Sequence, residues 1–243
     1  MIIDVETELD HCVEVIDGRL VRDLVGASPN FHNADYLFDE FEVVAELKIL
    51  SVDQMHEPKI RDKMSDIYRE ASARGEAEVV VYGEAMITAG NLSANYSKKM
   101  GEVYRRPVQN IVKKANKQIR QTKRHLNRHG HSGLLILVND NHRALEPTHV
   151  NWILQSTLRN RNYSSINSIL YCTTNITARH PELDTDFLVW MEQHRSGLKP
   201  CADELLKRIR EAWFRRMSEI TGEAIPSYRL TPDAMAKLGH EFK

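Results

Sequence analysis

Apolar residues recur at helical spacing from the start of the chain: Val5, Leu9, Cys12 and Val13 form one stripe, and Leu20, Val21, Leu24 and Val25 continue it. Pro29 disfavours helical geometry in the residue before it, so Gly26-Ala27-Ser28-Pro29 should end this helix. The period then changes. Two short runs, 34–38 and 42–50, are rich in Tyr, Phe, Val, Leu and Ile, and predict a hairpin buried on both faces. Helical spacing returns over 58–74, where Ile60, Met64, Ile67, Tyr68 and Ala71 share a side, and 79–82 reads as a short strand.

Pro107 suits a first helical position, and a long helix follows with Val108, Ile111, Val112, Ala115, Ile119, Thr122 and Leu126 on one face. Gly130 and Gly133 should close it, before a strand at 134–138. A helix over 150–158, a strand over 166–173 and a helix over 202–220 complete the pattern. Strands interleaved with helices predict an α/β fold with a mixed central sheet flanked by helices. We expect a core at 1–175, with an insertion at about 51–106, and a helical C-terminal addition at 176–243 packed on the same domain.

Charge changes this picture in one place. The 243 residues carry a formal charge of −1, but residues 1–97 hold 20 acids against 8 bases, and residues 98–131 hold 11 bases against one acid. A local block of this sign can attract phosphates even in a near-neutral chain. No apolar run reaches the roughly 20 residues that span a bilayer, so no membrane partner is expected. The first residues lack a basic start and a long apolar stretch, and three scattered cysteines suit neither a disulfide framework nor a four-cysteine zinc site. The expected setting is a reducing one, the cytoplasm.

Chemistry concentrates in the hairpin. Glu46 and Lys48 are two apart on the second strand and project to the same face. A turn at 39–42 would pair Phe38 with Val43 and set Asp35 opposite Glu46. Two carboxylates on rigid strands repel unless a cation lies between them, and oxygen donors suit Mg²⁺ or Mn²⁺. Such an ion polarises a phosphoryl oxygen and acidifies an attached water, which a nearby lysine can orient. A structural Glu46–Lys48 pair with Asp35 capping a turn would use the same residues.

The segment resembles the core motif of the PD-(D/E)xK nuclease superfamily, of restriction-endonuclease-like fold. In that family an Asp opens one strand, an acid-x-Lys follows on the next, and a later helix packs on the sheet. The resemblance spans about residues 1–140 and implies Asp35 and Glu46 as metal ligands, the Leu47 carbonyl as a third donor and Lys48 as the water-handling lysine. It also implies an acid from the first helix, here Glu8, and a Gln on the long helix, here Gln118. Ala34 stands where the family has Pro, and Thr122 stands where the exonuclease branch has Tyr, which favours an endonuclease. The implied activity is Mg²⁺- or Mn²⁺-dependent hydrolysis of DNA phosphodiester bonds, and cutting both strands would favour a homodimer. Two other roles fit the same fold: a non-cleaving module for nucleic acid or protein, and a nuclease subunit switched on by a partner protein.

The long helix supplies candidates for gripping nucleic acid. Lys113, Lys117, Arg120, Arg124 and Arg128 lie opposite its apolar stripe, and Lys114, Gln121 and Lys123 on its flanks would line a cleft. His125, His129 and His131 read as part of this basic surface, Trp152, Trp190 and Trp213 as core, and Cys172 as buried filler.

Overall fold

The computed structural model describes residues 3–26, 29–53, 57–76, 93–179, 186–225 and 239–240. Asp4 caps the first helix, α1 (Val5–Val15), by accepting a hydrogen bond from the Thr7 amide at 3.3 Å. The helix does not run on into the second apolar stripe. The backbone reverses at Asp17, with φ at 60°, and Gly18 follows, where an added Cβ would lie 2.5 Å from Val13 and 2.6 Å from Phe38. Only a residue without a side chain fits that approach. The chain then forms β1 (Arg19–Leu20) and a short α2 (Val21–Val25).

The hairpin is β2 (Tyr36–Phe38) and β3 (Val43–Leu50), with Phe38 opposite Val43 and Tyr36 opposite Ala45. Two helices follow, α3 (Pro58–Ala73) and α4 (Ala94–His125). Next come β4 (Ser132–Asn139), α5 (Pro147–Leu158) and β5 (Ser168–Thr173). The remainder holds β6 (Ala178–Arg179), β7 (Asp186–Phe187), β8 (Trp190–His194), α6 (Asp203–Thr221) and β9 (Gly239–His240). The main sheet has six strands in the order β1-β2-β3-β4-β5-β8, with β3, β4 and β5 parallel and the outer pairings antiparallel.

Both faces of this sheet are covered. Val5, Leu9 and Val13 of α1 and Leu205, Ile209 and Trp213 of α6 form one core with Val43, Ala45 and Leu47. Val108, Val112, Ala115 and Ile119 of α4 and Val150, Ile153 and Leu154 of α5 form the other, with Val44 and Leu50. The predicted α/β class, with a mixed sheet between helices, is what this arrangement is.

Four further expectations need correction. The long helix starts at Ala94, and Pro107 is interior to it. An interior proline costs about 3 kcal/mol; burial of Tyr96 and Val103 against Ile67 and Ala71 of α3 offsets it. Residues 176–243 are not simply helical, because β8 adds an edge strand that carries Trp190, and β6, β7 and β9 form a second small sheet. Trp152 is 54% exposed instead of core. Gly133 does not close a helix; it lies within β4, where a Cβ would meet the Ser165 carbonyl oxygen at 1.8 Å. The strand expected at 79–82 lies outside the described residues.

Because a backbone oxygen cannot yield as a side chain can, Gly133→Ala should destabilise the protein by about 2 kcal/mol or more. Calorimetric melting should show Tm lowered by roughly 5 °C; an unchanged Tm would mean that the 165 turn is free to move away.

Candidate active site

The hairpin register places the site. The Asp35 amide donates to the Ala45 carbonyl at 3.1 Å, so Asp35 stands one residue before β2 and across from Glu46, as the sequence predicts. Its Oδ2 accepts from the Leu47 amide at 2.7 Å, which folds the carboxylate toward β3. Along β3, Val43, Ala45, Leu47 and Ile49 pack toward α1 and α6, whereas Val44 and Leu50 pack toward α4 and α5. Side chains alternate on a strand. Glu46 and Lys48 therefore interrupt an apolar row on the α4 face.

Glu46 is fully buried, at 0% exposure, and Lys48 retains 24% of its side-chain surface. The Lys48 ammonium pairs with Glu46 Oε1. The other oxygen, Oε2, is buried and meets no N–H or hydroxyl donor, and the Glu46 carboxyl lies within hydrogen-bonding reach of Asp35, which serves only when one of the two is protonated. One lysine thus faces two carboxylates in a niche largely cut off from water. Burial and then the neighbouring Asp35 charge push the Glu46 carboxyl up to about 9, against the opposing pull of Lys48. Burial also raises Asp35, and the Leu47 amide and Lys48 counter it. The pair reaches neutral pH with either a shared proton or an added cation.

The flank of α4 that faces the hairpin is fastened beside this niche. Thr122 Oγ1 accepts from the Ala34 amide at 2.7 Å, and the Gln118 amide donates to the Asn33 carbonyl at 2.9 Å. Gln118 thus borders the site by holding the backbone that leads into Asp35. Glu8 does not join it. Its carboxylate is bound by Arg216 of α6 at 2.6 Å, and Glu6, one turn-face away on α1, is the acid whose charge reaches Asp35. Asp10, four residues after Glu6, accepts from the Tyr36 hydroxyl at 2.9 Å. The 6/10 pair was the signal in the sequence for the face of α1 that meets β2.

The opposite flank of α4 is anchored elsewhere. Asn116 accepts from the Ser165 amide at 2.9 Å, and Lys123 donates to the Ser165 carbonyl at 3.2 Å. Lys123 is consequently withdrawn from the hairpin side, and burial lowers its pKa to about 8. Between the flanks runs the exposed ridge of Lys113, Lys117, Arg120 and Arg124, with Lys114 toward the Gln118 side. None of these five has an ionic partner among the described residues, whereas Lys207, Arg208, Arg210 and Arg216 of α6 are all paired with glutamates. Arg128, at the end of the row, is held by Asp39 at 2.9 Å.

A further polar group lies beyond Leu50, on the same face, and the sequence reading missed it. Asn139 of β4 binds the Tyr171 hydroxyl at 3.0 Å and the His142 backbone, and His142 stands 3.3 Å from Asp53. This group fixes the turn that leaves β4.

Comparison with family models, curated proteins and solved structures finds no match. Among the described residues no group of three or more His, Cys, Asp or Glu side chains converges, so any metal here would rest on two carboxylates and backbone oxygen. No helix among them is long and apolar enough to cross a membrane.

The Glu46 shift has a consequence for stability. Its folded pKa, about 9, lies above the unfolded carboxylate value. Above about pH 4.5 the unfolded chain sheds a proton that the folded protein keeps, so stability declines with pH, by on the order of 1 kcal/mol per unit, up to the folded pKa. Thermal melts in EDTA from pH 5 to pH 8.5 should show Glu46→Gln gaining on the wild type as pH rises; parallel curves would contradict a protonated Glu46.

Proposed function

We propose that the protein is a metal-dependent nuclease that hydrolyses DNA phosphodiester bonds, built on a restriction-endonuclease-like core. The observation that carries this reading is the convergence of Asp35, Glu46 and Lys48 in one niche with one positive charge for two carboxylates. A structural ion pair has no use for the second carboxylate, which makes burial of Glu46 more costly.

The donor set fits a hard divalent cation such as Mg²⁺ or Mn²⁺. Glu46 Oε2 is buried without an N–H or hydroxyl donor and Asp35 lies beside it, so both would gain from a cation. The Leu47 carbonyl is the third oxygen of the motif, on the residue whose amide already holds Asp35. When bound, the ion supplies Lewis-acid polarisation of a phosphoryl oxygen and an acidified water.

The residues themselves divide the remaining work. Glu46 holds the Lys48 ammonium in place, and Lys48, whose side chain is partly exposed, would orient an attacking water and offset charge developing on phosphorus. The Leu47 amide fixes the Asp35 carboxylate, and Gln118 and Thr122 fix the backbone preceding it. The unpaired cations Lys113, Lys114, Lys117, Arg120 and Arg124 grip the phosphate backbone without reading bases.

With Mg²⁺ or Mn²⁺ the purified protein should nick supercoiled plasmid, and Asp35→Ala, Glu46→Gln and Lys48→Ala should each lower the rate by about 100-fold or more. Absence of cleavage by the wild type with either ion, or equal cleavage by all four proteins, would overturn the reading. Replacing Lys113, Lys117 and Arg120 together by Ser should weaken duplex binding and lower the slope of log K against log salt by about 2 to 3. An unchanged slope would remove the ridge from the interface.

A further inference from the structure

A second basic feature lies at the other edge of the main sheet, and it is concave. The C-terminal end of α5, the 160–165 turn and the end of β8 enclose a cavity of about 620 Å³, a size that suits a nucleotide-sized ligand. Its wall carries Arg159, Arg161, Arg195 and His194, and no Asp or Glu. On α6, by contrast, Arg208 is matched with Glu204 and Glu40. Here Arg159, Arg161 and Arg195 have no ionic partner among the described residues.

Arg195 decides the sign of the cavity. Its guanidinium donates to the carbonyls of Ile166 at 3.0 Å, Asn160 at 3.1 Å and Tyr163 at 2.7 Å. Those bonds shape the turn and occupy the carbonyls that could otherwise have received a cation. They also leave a half-buried positive charge balanced only by neutral dipoles, which favours an anion nearby. Arg159 and Arg161 stand exposed at the mouth, while the Gln155 and Gln193 amides already donate to Asn151 Oδ1, at 3.3 and 2.7 Å. Planar guanidinium groups match the paired oxygens of phosphate.

The position of the turn indicates the kind of phosphate. Asn116 of α4 binds the same turn through the Asn162 carbonyl and the Ser165 amide, and Arg120 of the unpaired ridge follows Asn116 by one helical turn. The 160–165 turn that borders the cavity is thus also held by the helix that carries the ridge. We propose that the cavity formed by Arg159, Arg161 and Arg195 is a phosphate-binding site for a nucleotide unit, either free or within a polynucleotide strand. It requires no divalent ion and no cleavage, so it stands apart from the carboxylate site.

The test is equilibrium binding to the full chain in EDTA, followed by fluorescence anisotropy of a labelled short single strand, with AMP and inorganic phosphate as competitors. Arg159→Ser/Arg161→Ser should weaken binding by about tenfold or more, while Lys207→Ser/Arg208→Ser, an equal loss of charge from paired residues on α6, should change it by less than about twofold. Arg159, Arg161 and Lys207 are exposed and Arg208 is part-buried over the Phe41 ring, and both variants should keep the wild-type far-ultraviolet spectrum. Displacement of the strand by AMP or phosphate, lost in the pocket variant, identifies a free nucleotide as the ligand; a pocket-dependent strand that neither displaces identifies backbone phosphate. No binding by the wild type in EDTA, equal effects of the two double variants, or no effect of the pocket variant would overturn the proposal. Because the readout is metal-free, this result and the cleavage result can fail separately.

Discussion

Two carboxylates and one ammonium share a niche from which water is largely excluded, and that imbalance is the central constraint on this molecule. Glu46 is wholly buried, its Oε1 is taken by Lys48, and its Oε2 has no N–H or hydroxyl donor. Replacing such a group with an apolar side chain of similar volume is often neutral or stabilising. A fold that places Glu46 and Lys48 between Val44 and Leu50, in an otherwise apolar row, therefore gives up stability at this point. Departures from local consistency of this kind concentrate at functional sites.

The rest of the architecture holds the imbalance in place. The turn after Phe38 sets the register that brings Asp35 opposite Glu46, and a slip of one residue would send both β3 side chains into the α1–α6 core. The parallel β4 and β5 bury β3 on its other side with Leu135, Leu137 and Tyr171. Helix α4 is pinned along both flanks, by Gln118 and Thr122 to residues 33–34 and by Asn116 and Lys123 to the 160–165 turn. Its unpaired cations are consequently presented outward on a ridge that cannot roll.

Much of this was readable in the chain before any coordinates. The register followed from the polar turn at 39–42, a local signal, and the basic block followed from counting charge. The failures share a cause: distance in sequence. Glu8 sits beside the apolar stripe and matches the family's first-helix acid, but its carboxylate is taken by Arg216, more than 200 residues away. Pro107 read as a helix start because the compensating contacts of Tyr96 and Val103 come from α3. The edge strand β8 is only five residues long, and its pairing with β5 is invisible in local periodicity. The arginine cavity unites α5, a turn and β8, so no motif marks it.

Titration of the metal-free protein with Mn²⁺ by calorimetry, in two buffers of different ionisation heat near pH 7.5, tests the central claim most directly. If Asp35 and Glu46 retain a proton in the absence of a cation, binding will release about one proton per ion, and Glu46→Gln will abolish that release. Binding without proton release, or no binding that depends on Glu46, would contradict it.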